Sequence, residues 1–309
     1  VHGWLNLDKP LGLSSSQAVS RVQRAFDAKK AGHGGTLDPL ATGILPIAFG
    51  EATKTAAYVM DGSKTYYFGV RWGEARSTDD REGEVIETHD HRPAAQQIES
   101  SLAAFVGTIE QIPPRYSAIK IDGRRAYDLA RRDEAVELKP RRVEVRELRL
   151  VDVPDADHAF LSVTCGKGTY VRALARDLAH HLDTVGHVDW LRRTAVGPFT
   201  EADAISLDKI EALVHIPLDS DLLMPIETVL DDIPALALTV QEAQRLKHGQ
   251  SVPVLPVASR STFKEVKQGD TVCAMLEGRL VALVRIAVSY THLRAHETVL
   301  DLVCRLLLE

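Results

Sequence analysis

Residues 32–43 read GHGGTLDPLATG, in which a single carboxylate, Asp38, stands among glycines and directly before Pro39. Proline disfavours the helical conformation at the residue before it, so Asp38 is expected to be extended, and glycines permit close backbone approaches. Apolar residues such as Leu37, Leu40 and Ile44 surround the carboxylate in the sequence. A lone Asp-Pro dipeptide is usually only a turn, but an acid on a rigid turn against an apolar wall is typical of a catalytic group.

The composition is that of a globular protein, with 309 residues, 45% of them hydrophobic and 26% charged. No apolar run of about 18 residues predicts a membrane span, and no signal-peptide pattern opens the chain, so we expect a cytoplasmic protein with no membrane partner. Cys165, Cys273 and Cys304 are too scattered for a disulfide framework or a zinc site. His89 and His91 lack a third ligand nearby, so no metal is predicted.

Charge is distributed unevenly along the chain, although the formal net charge is −6. Residues 201–242 carry ten acids and one base, whereas residues 115–149 carry eleven Arg or Lys against seven acids. Phosphate binding depends on the local field rather than on total charge, so the basic segment is a candidate nucleic-acid surface. Charge alone, however, favours a solvated, salt-bridged helix face for the same residues.

The first 230 residues mix strand and helix patterns without regular alternation. Strands are predicted at residues 3–7, 66–71 and 160–165. Helices are predicted after a cap at Ser15 or Ser16, around Ile98 to Phe105, and where apolar side chains recur every four residues, at Tyr170, Leu174, Leu178 and Leu182. This mixture favours an α+β fold whose sheet is mixed or antiparallel.

A second domain is predicted to begin at about residue 231, where prolines punctuate short segments. A helix fits residues 240–247, and strands at 271–276 and 279–286 are separated only by Glu277 and Gly278, which predicts a hairpin. Residues 1–230 would then form a large domain and residues 231–287 a small β-rich one. From residue 288 to residue 309 the pattern changes again and does not continue the hairpin.

Three further stretches contain candidate chemical groups: Lys9-Pro10, Lys64-Thr65-Tyr66, and GKGTYVR at residues 166–172. The last is not a phosphate loop, because Leu161 stands where that motif needs glycine and Gly168 where it needs Ser or Thr, so no nucleotide cofactor is predicted. Arg172, at the start of a predicted helix, is a candidate partner for a buried carboxylate.

Together these stretches resemble the TruB family of bacterial tRNA pseudouridine synthases, in the family's order and spacing. The resemblance includes His33 with the Asp38 stretch, Tyr116-Ser117-Ala118-x-Lys120, and Leu191-Arg192-Arg193, and it extends over residues 3–287. It implies a pseudouridine synthase domain followed by a PUA-like RNA-binding domain. It also implies that the substrate is uridine 55 in the T-loop of tRNA, which the enzyme isomerises after flipping the base out.

The resemblance also implies roles for individual residues. Asp38 would be the nucleophile, attacking either the uracil ring or the ribose C1′, which the sequence leaves open. Tyr66 would stack on the flipped base and is a candidate for proton transfer, and Arg172 would pair with Asp38. The remaining residues implied to bind substrate or support the catalytic turn are His33, Tyr170, Leu191, Lys9, Pro10 and Lys167.

The basic segment 115–149 corresponds to the family's RNA-gripping insertion. Its candidate contacts to the RNA backbone are Arg124, Arg125, Arg131, Arg132, Arg141 and Arg142. The resemblance further implies that the protein binds the tRNA T-arm. Isomerising a glycosidic bond needs no redox change, hydrolysis or energy input, so we expect no metal or other cofactor. The sequence leaves the oligomeric state open, and a monomer is expected.

Both ends of the chain depart from the family pattern. The chain opens Val-His-Gly with no initiator methionine, so we expect a short N-terminal piece to be missing. Residues 288–309 resemble a translated sequencing adapter and are expected not to belong to the family domain.

Two other functions are compatible with parts of the pattern. A catalytically silent tRNA-binding or folding protein would keep the basic surface without the chemistry, and the Asp38, Tyr66 and Arg172 set argues against it. A retaining glycosidase would use Asp38 as nucleophile, but it needs a second carboxylate about 5 Å away, and the sequence offers no obvious partner.

Overall fold

A computed structural model of the chain describes residues 1–117, 120–121, 124–125, 138–213, 221–253, 257, 261, 267, 269–287 and 292–295. Its strands, numbered in chain order, are β1 Gly3–Lys9, β2 Ala31–His33, β3 Ala41–Phe49, β4 Lys64–Trp72, β5 Glu74–Arg76, β6 Val85–Thr88, β7 Gly107–Gln111, β8 Lys120–Ile121, β9 Arg124–Arg125, β10 Arg141–Asp155, β11 His158–Cys165, β12 Gly186–Val196, β13 Phe199–Thr200, β14 Ile205–Ser206, β15 Ala235–Ala237, β16 Val252–Pro253, β17 Thr271–Leu276, β18 Arg279–Ala287 and β19 His292–Ala295.

The α-helices are α1 Ser15–Ala25, α2 Ala56–Asp61, α3 Ala95–Ser101, α4 Val171–His181, α5 Leu207–Ala212 and α6 Val240–Lys247. Short 3-10 helices occupy Gly50–Thr55, Leu102–Phe105, Glu201–Asp203 and Ile226–Val229. No helix in the described ranges is both long enough and apolar enough to cross a membrane.

Ten strands form one large mixed sheet, in the order β14-β1-β3-β12-β4-β11-β10-β7, with β13 beside β12 and β2 beside β3. The pairs β1 with β14 and β3 with β12 are parallel, and the other pairs in the sheet are antiparallel. The predicted α+β class with a mixed sheet is therefore confirmed.

One face of this sheet contributes to the core of the large domain. In β11 the residues Ala159, Leu161 and Val163 are buried while the residues between them are partly exposed, the alternation expected of a half-covered strand. Helix α4 contributes Leu174 and Leu178 to the same apolar cluster. The sheet combines strands that precede helix α4 with strands that follow it. As a result β4 and β12, which are far apart in sequence, lie side by side.

Helix α1 begins one or two residues earlier than the sequence predicted. The cap is Ser14, not Ser15 or Ser16, because Gln17 stands three residues after Ser14 and completes a capping box with it. Ser15 is instead buried, and its hydroxyl exchanges hydrogen bonds with the backbone of Leu37 at 2.7 and 2.9 Å. The residue predicted as a cap therefore anchors the turn that carries Asp38.

The last helix predicted in the large domain is shorter than its apolar stripe. Tyr170 and Leu182 lie just outside α4, at its N-cap and C-cap positions. The predicted helix around Ile98 likewise ends at Ser101 and continues as a 3-10 turn to Phe105.

A second sheet of five strands, in the order β15-β17-β18-β19-β16, forms the C-terminal part. The predicted hairpin is present as β17 and β18, and Glu277 and Gly278 both adopt positive φ angles, 51° and 79°, as a tight two-residue turn requires. The predicted division near residue 230 falls between the two sheets. Of the tail that begins at residue 288, the described residues 292–295 form β19, and the expected adapter origin of the tail stays a prediction.

The small sheet packs on the large domain through a few specific contacts. The backbone N–H of Leu280 donates to Glu227 Oε1 at 3.0 Å. Leu230, Cys273 and Leu283 form an apolar cluster against which Tyr58 of α2 also packs.

Candidate active site

The turn that carries Asp38 is held from two sides. Ser15 fixes Leu37 as described above, and the N–H of Gly12 donates to Pro39 O at 2.8 Å. Gly35 has a φ of +140°, a conformation that L side chains rarely adopt, so the glycine at this point of the turn is required by the backbone. The sequence prediction of a rigid turn at Asp38 agrees with these contacts.

Arg172 joins the turn to two other segments. Its Nη2 atom lies 2.9 Å from Asp38 Oδ2, and its Nη1 atom lies 3.4 Å from Asp80 Oδ2. The guanidinium also donates to Thr78 O and Tyr116 O, both at 2.9 Å. The side chain is only 5% exposed, so the geometry of this planar donor is set by its partners rather than by solvent.

A cavity of about 290 Å³ opens in front of Asp38. Five of the residues predicted to act on the substrate line it together: Asp38, Tyr66, Tyr170, Arg172 and Leu191. Other parts of its wall come from Gly35, Thr36, Leu37, Met60, Lys64, Gly166, Gly168, Thr169, Val171 and Arg193. Among the described residues that line the cavity, Asp38 is the only carboxylate.

Tyr66 stands on β4 with its ring against the apolar core, and it is 9% exposed. Burial raises the pKa of its hydroxyl, and the nearby charge of Arg193 opposes the rise. Tyr66 therefore keeps its proton at neutral pH and presents an apolar ring to the cavity.

Tyr170 is fixed by a buried side chain that the sequence did not single out. Gln111 accepts from the N–H of Tyr170 at 2.8 Å and donates to its carbonyl at 3.1 Å. Burial raises the pKa of the Tyr170 hydroxyl. Both tyrosines are thus neutral, well-held rings suited to contact a base.

Lys9 contacts the turn that carries Asp38, and the resemblance implied a supporting role there for Lys9 and Pro10. Its ammonium group is fully buried and donates to the carbonyls of Pro10, Leu13 and Pro39 at 2.9, 2.7 and 3.4 Å. Burial lowers the pKa of Lys9 to about 8, although the nearby Asp38 carboxylate opposes this. Pro10 takes part through its carbonyl and lies outside the cavity wall.

Lys64 is a second buried ammonium group, and it lines the cavity. It donates to the carbonyls of Met60 and Gly62, both at 2.6 Å, and of Val59 at 3.3 Å, and so satisfies the C-terminal end of α2. Burial lowers its pKa to about 8, and the charge of Arg193 adds to the decrease. The cation thereby holds Met60 at the cavity rim.

Arg193 also lines the cavity. It lies on β12 beside Tyr66 of β4 on one side and Gly43 of β3 on the other. Its guanidinium donates to Ile44 O at 2.8 Å, Thr36 O at 3.3 Å and Gly35 O at 3.0 Å. It is 1% exposed and holds the backbone just before Asp38.

Besides Lys9 and Pro10, two further predicted substrate-binding residues do not reach the cavity wall. His33 lies on β2, opposite Ile47 of β3. Lys167 is 68% exposed and pairs with Asp61 across the rim, with Nζ and Oδ1 3.0 Å apart. Lys167 stands between Gly166 and Gly168, which do line the cavity, so it lies at the mouth rather than inside.

The six candidate RNA-binding arginines are only partly described. Arg141 and Arg142 open β10 and are exposed; Arg141 is near enough to Tyr170 for its charge to act on that hydroxyl, and Arg142 pairs loosely with Glu110 at 3.9 Å. Arg124 and Arg125 form the short strand β9. Arg131 and Arg132 lie outside the described residues.

Sequence reasoning missed Asp80 and Arg193 as members of the site. Asp80 lies in a polar turn whose local sequence resembles a solvated loop, and only the fold brings it to Arg172. Arg193 did carry a signal, because residues two apart on a strand share a face, and Leu191 had been placed in the cavity. In the described part of the chain no three His, Cys, Asp or Glu side chains are grouped as metal ligands.

Comparison with known proteins identifies relatives over most of the chain. Residues 23–171 match the model of the TruB family pseudouridylate synthase N-terminal domain, and residues 172–231 match the tRNA pseudouridylate synthase B C-terminal domain. The tRNA pseudouridine synthase B of Rhodospirillum rubrum is 57% identical over 286 residues, which cover 93% of each chain. That of Caulobacter vibrioides is 56% identical over 284 residues, 92% of each chain.

Solved structures share the fold at lower identity. One from a crystal structure of a Cbf5-Nop10-Gar1 complex superposes with a TM-score of 0.73 at 24% identity, covering 97% of this chain and 85% of that one. At this identity the likeness concerns the fold alone.

Proposed function

The chain belongs to the TruB family of pseudouridylate synthases, and on that premise we propose that it isomerises uridine to pseudouridine at position 55 in the T-loop of tRNA. The observation that carries the proposal is the placement of Asp38 in a cavity with a neutral tyrosine on its wall and a buried arginine, Arg172, bound to its carboxylate. The relatives named tRNA pseudouridine synthase B support tRNA as the substrate.

The first step is access to the base. A uridine inside a folded loop must be flipped out, at a cost of a few kcal/mol, and aromatic stacking together with phosphate contacts offsets that cost. Tyr66 supplies a ring inside the cavity, and the exposed Arg141 and Arg142 supply cations outside it. We propose that the rest of the basic segment and the small C-terminal domain, as a PUA-like module, extend this grip on the T-arm.

The second step is the exchange of the glycosidic bond. Asp38 attacks the uracil ring or the ribose C1′, and the N1–C1′ bond breaks. The base then turns and its C5 bonds to C1′, after which the Asp38 carboxylate is released, the C5 proton leaves and N1 takes up a proton. Arg172 pairs with the Asp38 carboxylate at 2.9 Å and holds it in place for the attack. One C–N bond is replaced by one C–C bond between the same two rings, so the reaction is redox-neutral and we propose that it uses no cofactor.

A retaining glycosidase is a weaker alternative. Such an enzyme needs a second carboxylate as acid, about 5 Å from the nucleophile. The described residues that line the cavity include no carboxylate besides Asp38. Asp80 is buried behind Arg172 and does not line the cavity, so it has no access to a leaving group.

Tritium release tests the proposal directly. A T-arm RNA labelled with tritium at C5 of uridine loses the label to water only if the base is rejoined through C5. We expect release at one equivalent per RNA and none when position 55 is cytidine. Binding of the RNA without release would instead identify the non-catalytic tRNA-binding alternative, and release that persists with cytidine 55 would reject the assigned position.

The same proposal includes a monomeric, cytoplasmic enzyme. Size-exclusion chromatography with light scattering, with and without the T-arm RNA, measures the oligomeric state. A mass of two chains at micromolar concentration would reject it.

A further inference from the structure

Gln111 is a buried polar side chain to which the proposed mechanism assigns no role. It is the last residue of β7 and is 1% exposed. A buried amide is costly unless both its donor and its acceptor find partners, so the partners of a buried glutamine indicate what it holds. Here both partners belong to the backbone of one residue, Tyr170, which lines the cavity.

The side chain of Gln111 makes two complementary hydrogen bonds with Tyr170. Its Oε1 atom accepts from the Tyr170 N–H at 2.8 Å, and its Nε2 atom donates to the Tyr170 carbonyl at 3.1 Å. The reverse orientation of the amide would place donor against donor and acceptor against acceptor, so chemistry fixes the orientation. Two such bonds hold the Tyr170 backbone against rotation as well as against displacement.

The same contact holds the start of helix α4. Tyr170 is its N-cap residue, a position where Ser, Thr, Asp or Asn would supply a capping side chain and tyrosine does not. The Tyr170 carbonyl also accepts the first helical hydrogen bond, from the Leu174 N–H at 3.0 Å. A carbonyl has two lone pairs, so Gln111 and Leu174 bind it together. Gln111 therefore holds both a residue of the cavity wall and the first turn of the helix that carries Arg172.

Gln111 also belongs to the strand pair from which the basic segment 115–149 extends. It lies opposite Arg141 in the antiparallel pairing of β7 with β10. The basic segment begins shortly after Gln111, and its last part runs along β10. Tyr116, near the start of the segment, accepts from Arg172 through its carbonyl at 2.9 Å. Gln111 thus stands where the candidate RNA-binding segment meets the cavity wall.

We propose that Gln111 is a positioning residue for the isomerisation. It sets Tyr170 in the cavity wall and keeps the first turn of α4 in place beside the strand pair that carries the basic segment. The inference rests on the proposed function for the identity of the reaction. Of the described residues, Gln111 is not among those that line the cavity, so it acts through Tyr170 and not by contact with the substrate.

The first test is the rate of tritium release. Gln111→Met keeps the size of the side chain and removes both hydrogen bonds. At saturating T-arm RNA we expect the single-turnover rate to fall by roughly ten- to a hundredfold, as for misplaced groups. RNA affinity should stay within about twofold, because phosphate contacts supply most of it. A parental rate would overturn the proposal.

Gln23→Met is the matched control and should keep the parental rate. Gln23 also donates from Nε2 to a backbone carbonyl, that of Ala28 at 2.9 Å, but it does so at the end of α1. An equal loss of rate in Gln23→Met and Gln111→Met would contradict the proposal, because the loss would then not depend on the contact with Tyr170.

A double-mutant cycle separates positioning from a purely structural role. Gln111→Met should lose much less activity in a Tyr170→Ala background, since the side chain that it positions is gone. Full additivity of the two substitutions would contradict the proposal.

Gln111→Glu provides a rescue by pH and serves if Gln111→Met does not fold. Burial raises the pKa of a carboxyl, and the protonated group again offers one donor and one acceptor to Tyr170. The rate of this variant relative to the parent should therefore be higher at about pH 5.5 than at about pH 8. An equal ratio at the two pH values, or a higher one at the upper pH, would contradict the proposal.

Hydrogen exchange tests the geometry without RNA. In protein labelled with nitrogen-15 tyrosine, Tyr170→Phe identifies the Tyr170 amide signal. We expect Gln111→Met to speed exchange of this amide by at least about tenfold, because its acceptor is lost, and Gln23→Met to leave it unchanged. Unchanged exchange in folded Gln111→Met protein would overturn the proposal. A Tyr170 amide that responds in a protein whose parent releases no tritium would reject the proposed function and leave the contact of Gln111 with Tyr170 standing.

Discussion

Arg172 reaches Asp38 from inside the protein: Nη2 lies 2.9 Å from Oδ2, with 5% of the arginine side chain exposed against 37% of the aspartate. The cation is thus buried behind the Asp38 carboxylate, which keeps a face open to the cavity. Asp80, Thr78 O and Tyr116 O hold the guanidinium from the other side, so the position of Asp38 depends on three chain segments at once.

Arg172→Lys should fold but lose most of its activity. An ammonium group keeps the charge but cannot make the planar set of contacts to Asp38 and Asp80, so we expect a loss of about a hundredfold in single-turnover tritium release. Arg172→Ala leaves Asp80 buried without its cation and should cost about 3 kcal/mol in the free energy of unfolding, measured by urea denaturation.

Arg176→Lys is the matched control for that series. Arg176 lies one helical turn further along α4 and binds Asp79 at 2.8 Å and Ile112 O at 2.8 Å, away from Asp38. A loss of activity in Arg176→Lys equal to that in Arg172→Lys would mean that the contact with Asp38 is not what matters.

Lys64→Met should change how stability depends on pH. Below pH 8 Lys64 is charged in both the folded and the unfolded protein, and burying that charge destabilises the fold. The difference between its usual pKa of 10.5 and its pKa of about 8 in the fold corresponds to roughly 3 kcal/mol. As pH rises from about 8 to 10.5 the folded state releases the proton first, so the unfolded state holds more protons and the parent gains stability.

The measurement is the free energy of unfolding of the parent minus that of Lys64→Met, from pH 7 to pH 10.5. This difference should rise with pH, and Lys9→Met should show the same sign, since burial also lowers the pKa of Lys9 to about 8. Lys139→Met, which removes an exposed lysine, controls for net charge. A difference that falls with pH would contradict the assigned direction.

Local sequence patterns predicted the elements better than the contacts of the site. The hairpin at Glu277 and Gly278 and the helix Val240–Lys247 are present as predicted, because turn chemistry and capping act over a few residues. The Asp38 turn is of the same kind, since Pro39 and the glycines restrict it locally.

The sequence predicted the contacts between distant segments only in part. The pairing of Arg172 with Asp38 came from the family resemblance, and the geometry agrees with it. Asp80 was missed because nothing in its own turn distinguishes it from a solvated acid. Lys167, in contrast, was expected among the substrate contacts and pairs with Asp61 at the rim, because an exposed lysine takes the partner that its loop brings near.

The basic segment should govern the salt dependence of RNA binding. We expect Ala at Arg141, Arg142 and Arg124 to weaken T-arm binding and to reduce the slope of log affinity against log salt by roughly 0.7 to 0.9 for each lost phosphate contact. A control variant with Ala at Arg24, Lys29 and Lys30, which are exposed and lie outside this segment, should leave the slope unchanged. Equal slopes in the two variants would reject a dedicated RNA-gripping surface.

Asp38→Asn should separate binding from chemistry. The amide keeps the shape of the side chain and removes the negative charge that nucleophilic attack requires, so tritium release should fall by several orders of magnitude, with about tenfold for each 1.36 kcal/mol of lost barrier stabilisation. Affinity for the T-arm should change little, because phosphate contacts and loop shape supply most of it.

Asp38→Glu tests the geometry of the same group. The longer side chain keeps the charge but displaces the carboxylate by roughly an angstrom, both from Arg172 and from the substrate, so we expect a loss of at least about a hundredfold. Fluorescence anisotropy for binding and single-turnover tritium release for chemistry, measured on both variants, distinguish the two effects. Near-parental release by Asp38→Asn would remove Asp38 as the nucleophile, and its carboxylate would then be no more than the surface end of the ion pair with Arg172.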